Sequence, residues 1–230
     1  MPHQIFIAAR TRRLGGLIQE FGRIPMFDVT HLTRESRLLR LNPYFPHGAI
    51  PVAYSERTLT AQSLEAIWNG LKVFENEPAD FGCFEKMTKI SITRMPGKAG
   101  RGKLLGWQQG IHPDKPLLVE TEARRTVYAG TYRWILKEYC REAIDYLRGQ
   151  MERSDIVLLD YSSEHHRCDL RYPLMHSVLL RDYLLGRHPT LEDDWRPLTD
   201  EEYDHIYEER RAESAVRMLA NQPKQSFSSE

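Results

Sequence analysis

The sequence predicts a helix-rich α+β fold, a single domain with a small sheet and a helical appendage towards its C-terminal end. Two observations predict helices, because apolar residues recur at steps of three and four over 60–74 and again from Leu117 to Met151. A third observation predicts the sheet. Residues 156–161 form an apolar run of strand length, which is typical of a central strand that is covered on both faces.

The chain divides into three predicted parts. Residues 1–190 form the α+β domain. Thr199 and the three acids that follow it open a further helical pattern, with a capping residue and negative charge in the first turn. We therefore predict a C-terminal helix over 191–220 that packs on the domain, followed by a polar, disordered tail over 221–230.

Several shorter elements are predicted inside the domain. Residues 4–9 and 88–93 have strand-like patterns. Residues 24–30 are predicted to be extended, because Pro25 restricts the residue before it to β-like angles. Residues 175–185 are predicted to form a short amphipathic helix between a proline and a glycine.

Charge and cysteine content narrow the classes of function. The chain balances 32 basic against 32 acidic side chains, which argues against a surface that grips nucleic acid throughout, although a local basic patch stays open. Its cysteines are odd in number and widely spaced, so we predict no disulfide framework, no CxxC metal site and a cytoplasmic setting. No apolar stretch reaches the length of a membrane span, and we predict no membrane association.

The helical pattern over 60–74 carries the main candidate site. Glu65, Trp68, Asn69 and Lys72 recur at i, i+3, i+4 and i+7, and a helix would place them on one face. In one interpretation this face is a solvated flank, with the tryptophan in the core. In the other, the acid and the amine face a shared cleft.

A proline-rich loop precedes this helix. Residues 42–52 contain three prolines and a glycine together with apolar residues, including Tyr44 and Phe45. Proline fixes the shape of such a loop without a hydrogen-bond ladder, and the loop either lines a site or covers the core.

A glycine-rich, basic segment covers 94–107. Its glycines could let backbone amides approach a phosphate, but the spacing is not that of a GxxxxGK[ST] loop, and a mobile surface loop is an equal alternative. Its basic side chains before the tryptophan are Arg94, Lys98, Arg101 and Lys103.

Asp160 ends the best predicted strand, where sites on sheets often form, and it either belongs to a site or caps the following turn. The segment 162–169 holds His165, His166, a cysteine and two acids, but without a recognised metal-ligand spacing. We therefore predict no metal site.

The central run Ser63–Phe74 resembles the helix motif of the NADAR (YbiA-like) family, T/S-x-E-H-x-[FY]-Q-A-x-K-F. The matching positions are Glu65, Trp68, Asn69, Gly70 and Lys72. The proline-rich loop is similar to the segment before that motif. Arg101 and Trp107 are similar to the family's arginine-then-tryptophan element, and the strand ending at Asp160 resembles its late strand.

The resemblance covers residues 40–185 and has departures. Ala66 replaces the motif's histidine, and Gly106 stands where the family has the aspartate of an Asp-Trp pair. The closing D-x-x-W-G motif is absent, which leaves both Asp160 and Asp169 as candidates for its acid.

The resemblance implies a NADAR-like fold and an N-glycosidase that cleaves the bond between ribose and nitrogen in phosphorylated nucleotide-like or ADP-ribosyl compounds, without a metal or other cofactor. Glu65 would stabilise the cation-like sugar, and Lys72 would keep that carboxylate ionised. The residues implied are catalytic Glu65, Lys72 and Asp160, and substrate-binding Tyr44, Phe45, Trp68, Asn69, Arg101 and Trp107.

Two other classes of function stay open at this stage. One is a non-catalytic module that binds ADP-ribose or nucleic acid. The other is an accessory interaction protein that docks through the C-terminal helix. For the N-glycosidase, the predicted partner is a small nucleotide-like substrate.

Overall fold

The computed structural model describes residues 3–55, 59–162 and 174–187, which form an α+β fold. In these residues the strands are β1 (Ile5–Ala9), β2 (Met26–Asp28), β3 (Ile50–Pro51), β4 (Thr60–Ala61), β5 (Lys72–Phe74), β6 (Leu104–Trp107) and β7 (Ile156–Asp160). The α-helices are α1 (Leu14–Phe21), α2 (Ser36–Leu39), α3 (Leu64–Gly70), α4 (Lys89–Ile92), α5 (Glu120–Ala123), α6 (Gly130–Glu138), α7 (Arg141–Met151) and α8 (His176–Leu184). A 3-10 helix covers Phe81–Glu85, and a π-helical segment covers Arg124–Ala129.

None of the helices in these ranges combines the length and the apolar character that crossing a bilayer requires. The predicted C-terminal helix over 191–220, the tail over 221–230 and Asp169 lie outside the described residues.

Strand β7 is the centre of a three-stranded parallel sheet. It pairs with β1 on one side and with β2 on the other. Val157 contacts a small cluster that contains Leu17 and Phe21 of α1, whereas Ile156 and Leu158 belong to the main core. The prediction of a central strand covered on both faces is therefore confirmed, as is the strand predicted over 4–9.

Helix α3 is shorter than the pattern over 60–74 predicted. It begins after Ser63, whose hydroxyl accepts a hydrogen bond from the Ala66 amide at 3.1 Å, and it ends at Gly70. The residues before it pair as β4 with β3, and those after it pair as β5 with β6. The prediction that Lys72 lies on the helix is wrong, because strand pairing with β6 takes that residue into β5.

The pattern over 88–93 predicted a strand, and this prediction is also wrong. The Thr88 hydroxyl accepts from the Ser91 amide at 3.3 Å and opens the short helix α4. The apolar alternation that suggested a strand comes from one helical turn, in which Ile92 is buried and Ile90 is 94% exposed. The long helix predicted from Leu117 to Met151 is divided into α5, the π-helical segment, α6 and α7.

Gly70 gives a test of how α3 packs. A Cβ at this position would lie 2.4 Å from Cε1 of Phe84, a buried side chain of the 3-10 helix. We expect Gly70→Ala to lower the free energy of unfolding by about 1–3 kcal/mol, because the dense core cannot accommodate the methyl group. Urea unfolding measures this change.

Gly149 in α7 supplies the matched control, because a Cβ there meets no atom within 4 Å. We expect Gly149→Ala to stabilise the protein by about 0.4–1 kcal/mol through the unfolded state. If both variants unfold at the wild-type urea concentration, α3 does not pack on Phe84 as described.

Candidate active site

The Glu65 carboxylate is the centre of the candidate site. It lies in the first turn of α3 and is half-buried. Its Oε1 accepts a hydrogen bond from the Tyr128 hydroxyl at 3.1 Å, and its Oε2 accepts one from Asn69 Nδ2 at 3.0 Å. Burial raises the pKa of Glu65 above its ordinary value of 4.5, while the Tyr128 hydrogen bond and the positive charge of Lys72 oppose this rise.

Asn69 joins the acid to the amine. Its Nδ2 also donates to the Glu65 carbonyl at 3.0 Å, and its Oδ1 accepts from Lys72 Nζ at 2.9 Å and from the Arg94 amide at 3.2 Å. Both donors and both acceptor positions of the amide are therefore used, which fixes its orientation. Burial lowers the pKa of Lys72, and the negative charge of Glu65 opposes this.

Aromatic side chains surround the carboxylate. Trp68 is half-buried, and its ring meets the Tyr128 ring edge-on at a centroid distance of 5.3 Å. Trp107 lies against Trp68 at 4.3 Å, and its Nε1 donates to the Trp68 carbonyl at 3.0 Å. Tyr44 approaches from the proline-rich loop, and burial together with the charge of Glu65 raises the pKa of Tyr44 to about 12.

Asp160 is buried at the end of β7. Its Oδ1 accepts from the Tyr161 amide at 2.7 Å, and its Oδ2 accepts from the Ser177 amide at 3.3 Å in the first turn of α8. The His176 Nδ1 is 3.4 Å from the same Oδ2. Asp160 thus acts as a cap, the structural alternative that its position at the end of a strand left open.

His176 connects Asp160 with the main site. Its Nε2 is 2.9 Å from the Val29 carbonyl, so both ring nitrogens face acceptors. The electrostatic effect of His176 lowers the pKa of Glu65, against the larger effect of burial.

A family model matches residues 9–180 of the chain, a span that contains all of the side chains described above. The chain belongs to this family. It is described as a family of unknown function, DUF6939. A search of curated proteins found no match to the chain.

The structure brings some of the predicted site residues of this DUF6939 protein together and separates others. Glu65, Lys72 and Asn69 form one network, with Tyr44 and Trp68 beside it. Phe45 packs elsewhere, with its ring 4.7 Å from His47, and Arg101 pairs with Glu77 at 2.7 Å. Trp107 is 2% exposed, so it supports Trp68 from beneath.

The basic glycine-rich segment is tied to the body by Arg94. This side chain is buried, and its Nη1 donates to the carbonyls of Asn69 at 3.0 Å and Lys72 at 2.8 Å. Its Nη2 lies 2.8 Å from Oε1 of Glu77, the same acid that pairs with Arg101. Two of the four basic side chains predicted to meet phosphate are therefore paired with one shared carboxylate, and Lys98 and Lys103 are exposed.

Sequence reasoning missed Tyr128 and His176 as members of the site. Tyr128 belongs to the apolar face of the predicted long helix, so its spacing indicated core packing alone. It lies in the π-helical segment, a local irregularity of the kind that is frequent at functional sites. Within the described ranges, no group of three or more His, Cys, Asp or Glu residues is arranged to hold a metal ion.

The Asn69 amide gives a test of the network. We expect Asn69→Ala to lower the free energy of unfolding by about 1–3 kcal/mol, because the buried Arg94 amide and the Lys72 ammonium lose their acceptor. Asn76→Ala is the control, since it removes only an exposed hydrogen bond to the Gly100 carbonyl and should change stability by less than about 0.5 kcal/mol. Equal unfolding curves for the two variants would contradict the bridging role.

Proposed function

We propose that this protein is an N-glycosidase that hydrolyses the N-ribosyl bond of a phosphorylated nucleotide-like or ADP-ribosyl substrate. The observation that carries the proposal is the Glu65 carboxylate, which is half-buried, held by Tyr128 and Asn69, and flanked by aromatic rings. The resemblance of Ser63–Phe74 to the NADAR motif also supports Glu65 as the catalytic carboxylate.

The reaction needs a fixed negative charge beside the sugar. As the bond between the anomeric carbon and nitrogen breaks, positive charge develops on the ribose, and a preorganised carboxylate stabilises it. A water oxygen then bonds to the anomeric carbon. Glu65 accepts the proton that this water loses, and the leaving nitrogen finally carries it, so the products are the free nitrogen compound and a ribose that keeps its phosphate or ADP group.

The neighbouring groups keep Glu65 ready for this role. Tyr128 and Lys72 favour its ionised form, although burial raises its pKa. Trp68 and Tyr44 are half-buried and offer aromatic surface on which a base can stack. Asp160 and His176 act as positioning residues, because they hold the end of β7 and the start of α8 against the site.

Glu65→Gln tests the proposal directly. Glutamine can accept from Asn69 and donate to the Tyr128 oxygen, so we expect a folded protein whose turnover falls by about 100-fold or more. Chromatography measures this turnover as release of free base from N-ribosyl 5-phosphates and as release of ADP-ribose from peptides that are ADP-ribosylated on a side-chain nitrogen. Glu152→Gln, at an exposed position, is the control.

Two results would count against the glycosidase. If Glu65→Gln hydrolysed the substrate at the wild-type rate, this carboxylate would have no catalytic role. Saturable binding of these compounds by the wild type without any release of base would favour a recognition module instead.

The pH dependence of turnover gives a further test. Because the ionised carboxylate is needed, we expect activity to fall as the pH decreases through the pKa of Glu65, with a midpoint above 4.5. Tyr128→Phe keeps the ring against Trp68 but removes the hydrogen bond that lowers this pKa, so the midpoint should move to higher pH. An unchanged midpoint would show that another group controls the acid limb.

Unfolding measurements on the same carboxylate need no substrate. Its pKa is higher in the folded than in the unfolded chain, so the folded state binds more protons between the two values. Stability therefore falls as the pH rises through this range. We expect wild type to lose stability relative to Glu65→Gln from pH 4.5 upwards and the difference to become constant above the folded pKa.

A further inference from the structure

Three loops meet at the carboxyl edge of the parallel sheet. Arg10 follows β1, His31 lies just after β2, and Tyr161 follows β7. Lys89 of α4 reaches over the same edge. Open α/β sheets bind ligands outside the carboxyl ends of their strands, so this edge is the place in the fold where a ligand site is expected.

Lys89 lies between two tyrosine rings. Its Nζ is 5.4 Å from the centre of the Tyr44 ring and 5.9 Å from the centre of the Tyr161 ring. The side chain is exposed, and within residues 3–55, 59–162 and 174–187 no carboxylate forms an ion pair with it. Its ammonium is thus oriented by aromatic faces and has donors to offer an anion.

His31 presents a second donor beside Lys89. Its backbone amide donates to the Tyr161 hydroxyl at 3.0 Å, and that hydroxyl also hydrogen-bonds to His31 Nδ1. A neutral ring that accepts at Nδ1 carries its proton on Nε2, where it can donate to an anion. Partial burial and the positive charges of Lys89 and Arg10 lower the pKa of His31, in keeping with this neutral ring.

Among the described acids, Asp28 acts on His31 and is already engaged. Asp28 Oδ2 accepts from Arg10 Nε at 3.1 Å, and Asp28 Oδ1 accepts from the amide and hydroxyl of Thr30 at 2.9 and 2.6 Å. Its charge acts on His31 less strongly than those of Lys89 and Arg10. Among the described residues, the charges that act on His31 at this edge are therefore mainly positive.

Tyr44 connects this edge with Glu65. The charge of Glu65 acts on the Tyr44 hydroxyl, whereas the Tyr44 ring faces Lys89. The Tyr44 side chain thus interacts with both the carboxylate and the ammonium.

We propose that Lys89 and His31 bind the phosphate on C5 of the substrate's ribose, in a subsite that lies across Tyr44 from Glu65. The identity of the sugar rests on the proposed function. The subsite replaces the glycine-rich segment as the phosphate site, since Arg94 and Arg101 are paired with Glu77 there.

Calorimetric titration of the full chain with ribose 5-phosphate, ADP-ribose and unphosphorylated ribose tests the subsite. We expect saturable binding of at least one of the two phosphate esters, and much weaker binding of ribose. Lys89→Ala should weaken the binding of that ester by about tenfold or more, because a charge-assisted hydrogen bond is lost, and Lys89→Arg should restore most of it. Tighter binding of ribose 5-phosphate than of ADP-ribose identifies a phosphate monoester as the ligand, and the reverse order a diphosphate.

Lys98→Ala is the matched control, because it removes an exposed ammonium from the glycine-rich segment and should leave the affinity unchanged. The subsite is refuted if neither ester binds, if Lys89→Ala binds like wild type, or if Lys98→Ala alone loses affinity. Binding that depends on Lys89 without hydrolysis would support the subsite and refute the glycosidase. Equal hydrolysis of phosphorylated and unphosphorylated ribosides would refute the subsite and support the glycosidase.

Discussion

The buried guanidinium of Arg94 is the constraint on which the candidate site depends. The last carbonyls of a helix have no partner within it, and Arg94 supplies donors to those of Asn69 and Gly70, and to Lys72 at the start of β5. It thereby sets the point where α3 turns into β5. Its own charge is paired with Glu77, which also contacts Arg101, so the buried cation in the middle of the connection does not lack a counter-charge.

This constraint carries through to the chemistry of Glu65. Because α3 ends where it does, Asn69 lies between the carboxylate and the amine and uses all of its hydrogen-bonding capacity there. Fixed hydrogen bonds and the charge of Lys72, in place of water, therefore oppose part of the desolvation that raises the pKa of Glu65. Under the proposed glycosidase function, such a site gives up some stability for a charge that needs no reorganisation when a cation develops beside it.

Local pattern predicted elements that one stretch of sequence specifies by its own spacing or apolar run, and it failed where pairing with a distant segment overrides that pattern. The i, i+4 spacing correctly placed Glu65 and Asn69 on one face of α3, and the apolar run correctly placed β7. Lys72 was misplaced because its strand partner lies in β6, beyond the reach of a helical pattern. Tyr128 is 63 residues from the carboxylate that it contacts, so no spacing within the motif could reveal it.

The order of strands in the parallel sheet also bears on how the chain acquires its shape during synthesis. β1 and β2 do not pair with each other, and both depend on β7, whose register joins Ile5 to Ile156. Until the ribosome has released that late segment, the two early strands carry open edges that invite association with other chains. A chain that ended before β7 would lack the parallel sheet. Formation of this sheet during synthesis therefore has to wait for the central strand.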